Sequence, residues 1–256
     1  MNTIIIEKNN FVTTVTLNRP DVHNAFNEEL IKELHDTFSA LNSDAATRVI
    51  VLTGNGKSFS AGADLNYMKS AATKTREQNK TESKALVTML AAIDAVSKPV
   101  IGVINGAALG GGMGLTSVCD IVMAHENAQF GFTEAKIGMA PSMISPFVIR
   151  KIGQAAARRY FLTAERFDSL AAQKINLVNE VYSDATREEK LAFYLKQFLS
   201  NGPLAMAEIK KLIRTNFDLS GEALTDFTVQ QIVELRTGPE GQEGMRAFFE
   251  KRKPVF

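Results

Sequence analysis

Two stretches decide how this chain is read: Phe59-Ser60-Ala61-Gly62-Ala63-Asp64-Leu65 and Asn105-Gly106-Ala107-Ala108-Leu109-Gly110-Gly111-Gly112. Each follows a short run rich in β-branched residues, Val49-Ile50-Val51-Leu52-Thr53 and Val100-Ile101-Gly102-Val103-Ile104. Two turns of this kind can aim two backbone N–H groups at one oxygen, which holds an oxyanion without using a side chain. Three consecutive glycines at the mouth of a helix cost roughly 0.5–1 kcal/mol each relative to alanine. Close approach of a ligand to bare backbone accounts for tolerating that cost.

Outward from these turns, the first half alternates strands and helices. Residues 3–8 and 12–17 read as a hairpin around Asn9-Asn10, and residues 100–104 and 121–124 as further strands. Asn27 is placed to cap a helix with Leu30, Ile31, Leu34, Phe38 and Leu41 on one stripe. A second stripe, Leu86, Leu90, Ile93 and Val96, ends at Lys98-Pro99. This rhythm predicts a mainly parallel sheet layered with helices. Beyond about Met143 the strand signal fades, and Thr186 with Glu189 fits a capping box opening a helical region. The expected division is an α/β core over residues 1–195 and a helical region over residues 196–256.

The chain has 256 residues, 45% hydrophobic and 22% charged, with a formal net charge of +1. That balance gives no support for nucleic acid or an anionic membrane as the main partner. Cys119 is the sole cysteine, which excludes an internal disulfide framework and fits a reducing compartment. Ile4-Ile5-Ile6 is too short for a signal-peptide core, and charges interrupt each later apolar run. A cytoplasmic protein is expected. Several familiar motifs fail. Gly56-Lys57-Ser58 resembles the tail of a P-loop, but that motif's first glycine would fall on Val51. Leu115 and Ser117 break the dinucleotide pattern at Gly110–Gly114. His23, His35 and His125 are isolated, so no metal site is expected.

Four ordered blocks resemble the enoyl-CoA hydratase/isomerase (crotonase) superfamily. They are Leu17-Asn18-Arg19-Pro20 with Asn24-Ala25-Phe26, the segment 59–65, Lys98-Pro99 leading to Gly110-Gly111-Gly112, and Cys119-Asp120; Phe248-Phe249-Glu250-Lys251-Arg252 adds a fifth. The resemblance implies a spiral of repeated ββα units with a helical C-terminal region that builds trimers or dimers of trimers. It implies that the N–H groups of Ala63 and Gly111 hold a thioester oxyanion. Ala25, Ala61, Asp64, Leu65 and Asn66 would line the path of coenzyme A. Phe248 and Lys251 would cover it, often from a neighbouring subunit. No separate cofactor is implied, since coenzyme A arrives as part of the acyl-CoA substrate.

Hydratases of this family present two glutamates to one water. Here the first of those positions is Gly114; the second matches Glu134 within Phe130-Gly131-Phe132-Thr133-Glu134. Glu134 alone suffices for a Δ3,Δ2-enoyl-CoA isomerase, whereas hydration also needs a water held at C3, where Ser142, Ser145 or Tyr67 could assist. His23-Asn24-Ala25-Phe26, Ile144-Ser145-Pro146 and Ala157-Arg158-Arg159-Tyr160-Phe161-Leu162-Thr163 resemble a bacterial branch described as methylglutaconyl-CoA hydratases and their relatives. The leading expectation is therefore a hydratase for a short branched or dicarboxylic enoyl-CoA, in which a distal substrate carboxylate would order the water. The alternatives are the isomerase and a non-catalytic acyl-CoA-binding or RNA-binding homologue.

Overall fold

The computed structural model describes residues 3–71 and 73–256. Its main sheet contains β1 (Ile4–Asn9), β2 (Val12–Leu17), β3 (Val49–Gly54), β5 (Val100–Ile104), β7 (Ile121–His125) and β10 (Glu180–Tyr182), paired in that spatial order. Only the β1/β2 hairpin is antiparallel; β2/β3, β3/β5, β5/β7 and β7/β10 run parallel. Every residue of β5, and all of β3 except Gly54, is buried, because helices cover both faces of a parallel sheet. On one face lie α1 (Glu28–Ser43), α3 (Arg76–Ala95), α4 (Gly111–Val118) and α5 (Ser145–Thr163), around the larger core with Phe26, Phe38, Leu90 and Phe130. On the other face Val51, Ile101 and Met123 pack against Leu191, Leu195 and Phe198 of α7 (Arg187–Ser200).

A second sheet, absent from the sequence reading, positions the site. It consists of β4 (Ser58–Ser60), β6 (Ala107–Leu109), β8 (Gln129–Gly131) and β9 (Arg166–Asp168), in that order. Each repeat therefore lays one strand in the main sheet and the next in the small one before its helix: β3 then β4, β5 then β6, β7 then β8. This is the expected ββα spiral, and it sets the ends of β4, β6 and β8 side by side.

Asn27 caps α1 as its sequence indicates, accepting from Leu30 N–H at 2.9 Å. The capping box proposed at Thr186 is not formed. Thr186 has helical dihedrals and its hydroxyl accepts from Ser183 N–H at 3.0 Å. A capping box does form at Thr75 and Gln78, at the start of α3. Residue 195, the expected division between core and helical region, lies inside α7. The remaining helices are α2 (Leu65–Ala71), α6 (Ser169–Lys174), α8 (Pro203–Asp218), α9 (Gly221–Thr237) and α10 (Pro239–Phe249). Helix α8 is tied to the core by the Lys210 ammonium, 2.6 Å from Asp120 Oδ2 and 3.0 Å from the Lys98 carbonyl. Ile209, Ile213, Phe217, Val229, Phe248 and Phe249 on the C-terminal helices are exposed. Among the described residues, no helix is long and apolar enough to cross a membrane.

Candidate active site

Ala63 leaves the end of β4 and forms a parallel bridge with Phe26. The bridge is made by its neighbours: Phe26 N–H donates to Gly62 O at 2.6 Å, and Asp64 N–H donates to Phe26 O at 2.9 Å. Alternation along the extended backbone then turns the Ala63 N–H away from Phe26. Gly111 is the first residue of α4, where helix N–H groups lack an intrahelical acceptor. Among the described residues, neither N–H donates to a protein acceptor.

Close contacts hold the two turns together. Gly62 has φ of 88°, and a Cβ there would lie 3.1 Å from Gly111 N and 2.8 Å from Leu109 O. Gly110 has φ of 48°, and its Cβ would stand 3.5 Å from Glu134 Oε1. The rest of the triple glycine is required by packing rather than by ligand approach alone. A Cβ on Gly111 would strike Phe26 Cε2 at 2.6 Å, and one on Gly112 would strike Ser60 O at 2.4 Å. Phe26 is itself set by the Asn24 side chain, which donates to Asn55 O at 2.9 Å and Ser58 O at 2.8 Å.

Glu134 follows β8 and opens a short 3-10 turn, Glu134–Ile137. Burial pushes its carboxyl above the usual 4.5, and outweighs the backbone N–H groups of Glu134 and Thr133 that favour the charged form. Its Oε2 is buried with no hydrogen-bond partner among the described residues. Ala63, Gly111 and Glu134 line one cavity of about 460 Å³. Its remaining walls are mainly apolar, including Leu86, Met68, Met139, Met143 and Ile144, with Ser142 and Tyr67 among the polar groups.

The other sequence candidates distribute unevenly. Ala61 and Leu65 line this cavity, with Leu65 exposed. Asp64 and Asn66 face an adjoining groove that shares Tyr67 with it. The Asp64 carboxylate is engaged by Arg19 Nη2 at 2.9 Å and Asn66 N–H at 2.8 Å. Ala25 is buried, and its carbonyl accepts from the Arg19 guanidinium. Phe248 and Lys251 are not among the residues lining the cavity of their own chain. Ser145 does not line it either; its hydroxyl donates to Ser142 O at 2.9 Å. Cys119 is a structural thiol, its pKa pushed up to about 12 by burial.

Gly114, the position that the resemblance matches to the family's other acid, has no room for a side chain. A Cβ there would fall 2.6 Å from Ile144 Cγ2 and 3.1 Å from Leu90 Cδ1. Ile144 and Leu90 thus fill the place an acid would take, a consequence invisible until the fold brings α5 beside α4.

Main-chain N–H groups without protein acceptors, on residues that line one cavity with a half-buried acid, are groups of the kind that can stabilise a developing oxyanion and move a proton next to it. An enzyme that works through an enolate needs groups of this kind. The chain belongs to the enoyl-CoA hydratase/isomerase family, whose model matches residues 7–256. The crystal structure of an enoyl-CoA hydratase from Shewanella pealeana superimposes with a TM-score of 0.95 at 38% identity, covering 99% of this chain and 96% of that one. The 2,3-dehydroadipyl-CoA hydratase of Escherichia coli is 33% identical over 100% of this chain and 99% of its own length. The short-chain-enoyl-CoA hydratase of Clostridium acetobutylicum is 31% identical over 99% and 97%, respectively.

Proposed function

We propose that this enzyme adds water reversibly across the C2=C3 bond of a short branched or dicarboxylic enoyl-CoA of the methylglutaconyl-CoA type. The observation that carries the reading is that Ala63, Gly111 and Glu134 line one cavity, the first two with backbone N–H groups that have no protein acceptor among the described residues. Bound there, the thioester oxygen accepts both N–H groups as negative charge moves onto it. Glu134, kept protonated more readily than an exposed carboxyl, gives its proton to C2 in hydration and recovers it in dehydration. The positive end of α4 points at the same oxygen. Met68, Met139 and Met143 form an adaptable apolar wall that suits a branched acyl chain. The relatives named as hydratases support water addition, and the dehydroadipyl-CoA relative supports a dicarboxylic substrate. Phe248, near the end of α10, and Lys251, just beyond it, are exposed and available to cover coenzyme A in a neighbouring subunit of a trimer or dimer of trimers.

The filled space at Gly114 favours one second reading, a Δ3,Δ2-enoyl-CoA isomerase working with Glu134 alone. Incubation with crotonyl-, 3-methylcrotonyl-, 3-methylglutaconyl- and 3-hexenoyl-CoA in heavy-oxygen water separates the two. Heavy oxygen in the product supports hydration. A moved double bond without label supports isomerisation, and no turnover leaves only acyl-CoA binding.

A further inference from the structure

Water addition at C3 needs a group that takes a proton from the water while Glu134 serves C2. The position from which the family supplies that group is Gly114, and Ile144 and Leu90 have closed it. Among the described residues that line the cavity, the carboxylates are Glu134 and Glu82, and none of the lining residues is a lysine, arginine or histidine. Glu82 lies on α3 in the row 82, 86, 90, one helical face. Leu90 of that row packs against Gly114, and Leu86 and, one turn further along, Glu82 line the cavity.

The surroundings of Glu82 differ from those of Glu134. Its carboxylate forms an ion pair with Lys74, whose ammonium also lies 5.4 Å from the centroid of the Tyr67 ring. Burial, and then the charge of Glu82, push the Tyr67 phenol up to about 12, so it remains a neutral hydroxyl. Glu82 also borders an outer groove with Glu28, Lys32 and Lys84, which gives it an exit to solvent. Glu134 and Glu82 thus reach the same cavity from different elements, Glu134 with no partner for Oε2 and Glu82 ion-paired beside an outer groove.

We propose that Glu82 is the second acid–base residue of this enzyme, taking over from α3 the role that Gly114 cannot fill. The assignment rests on the hydratase reading above. In hydration the Glu82 carboxylate takes a proton from water as the water oxygen bonds to C3. The C2=C3 electron pair moves to the thioester oxygen, held by the Ala63 and Gly111 N–H groups. It returns as protonated Glu134 delivers its proton to C2. Glu82 then releases its proton through the outer groove, and Glu134 regains one from solvent. No carboxylate on the substrate is required.

The test separates the two proton transfers. Hydration of crotonyl-, 3-methylcrotonyl- and 3-methylglutaconyl-CoA is measured beside exchange of the C2 protons of butyryl-CoA in heavy water, for the wild type, Glu82→Gln, Glu82→Asp and Glu134→Gln. Glu82→Gln is expected to lower hydration at least about a hundredfold. Its C2 exchange should stay within about threefold of wild type, Glu82→Asp should recover part of the hydration, and Glu134→Gln should lose both reactions. Hydration by Glu82→Gln within about threefold of wild type overturns the assignment alone, as does a parallel fall of hydration and exchange. Wild-type protein that exchanges C2 protons but adds no water overturns the hydratase reading and the assignment together.

Discussion

Substitution Gly62→Ala probes the pairing of the two turns directly. The residue holds φ of 88°, where a side chain costs about 1–2 kcal/mol. The new Cβ would also stand 2.8 Å from Leu109 O and 3.1 Å from Gly111 N. Both neighbours are backbone, so no flexible side chain can yield, and the turn at 109–111 must move outward. In the proposed mechanism the Gly111 N–H then loses its aim at the thioester oxygen. Loss of one such donor costs about 2.7–4 kcal/mol of transition-state stabilisation, on the order of 10²–10³ in kcat. KM should change little, because this contact strengthens as charge develops. Loss of the conjugated enoyl absorbance gives the rate, and thermal melting gives the stability. Gly221→Ala is the control: φ there is 59°, with nothing within 4 Å of the added Cβ. It should carry similar backbone strain and leave kcat unchanged. A kcat for Gly62→Ala within tenfold of wild type refutes the reasoning, and so does an equal loss of kcat in Gly221→Ala.

Three further outcomes follow from the same geometry. Glu134→Gln should reduce turnover by roughly 10²–10⁴ yet stabilise the fold near neutral pH. The raised carboxyl pKa means that the folded state binds the proton more tightly than the unfolded chain. Wild-type stability therefore falls as pH rises from 4.5 through the shifted value, and paired melts should converge below that window. Gly114→Glu alone should cost about 1–3 kcal/mol by overpacking Ile144 and Leu90. In an Ile144→Ala background that penalty should shrink, and chemical denaturation of all four proteins measures the coupling. Arg19→Met leaves the mostly buried Asp64 carboxylate without its cation, and denaturant unfolding should show a loss of about 3–5 kcal/mol.

What the sequence revealed depended on length and on chain proximity. β3 and β5 were legible as continuous apolar runs, and α1 through its Asn27 cap and apolar stripe. β4, β6, β8 and β9 are each three residues long, too short to display an alternation, and exist because their neighbours pair with them. The two capping boxes show the same limit. Thr75 and Thr186 both stand three residues before a Gln or Glu, but only Thr75 adopts the extended backbone that a cap requires. Ala63, Gly111 and Glu134 are proposed through the resemblance, because each closes a segment that matches the family's pattern. Glu82 is not, since an acid on an amphipathic helix reads as a solvated face until Gly114, Ile144 and Leu90 are seen to meet.

The small sheet has a consequence for how such an enzyme can change. Ala63, Gly111 and Glu134 each emerge just past the end of a different one of its strands, β4, β6 and β8. In the proposed mechanism the electrophile is gripped by peptide groups, which point mutation leaves intact wherever the bend survives. Proton traffic depends on side chains, which a single codon can replace. Selection can therefore exchange or relocate the acids around a permanent anion cradle, and new reactions arise without rebuilding the scaffold.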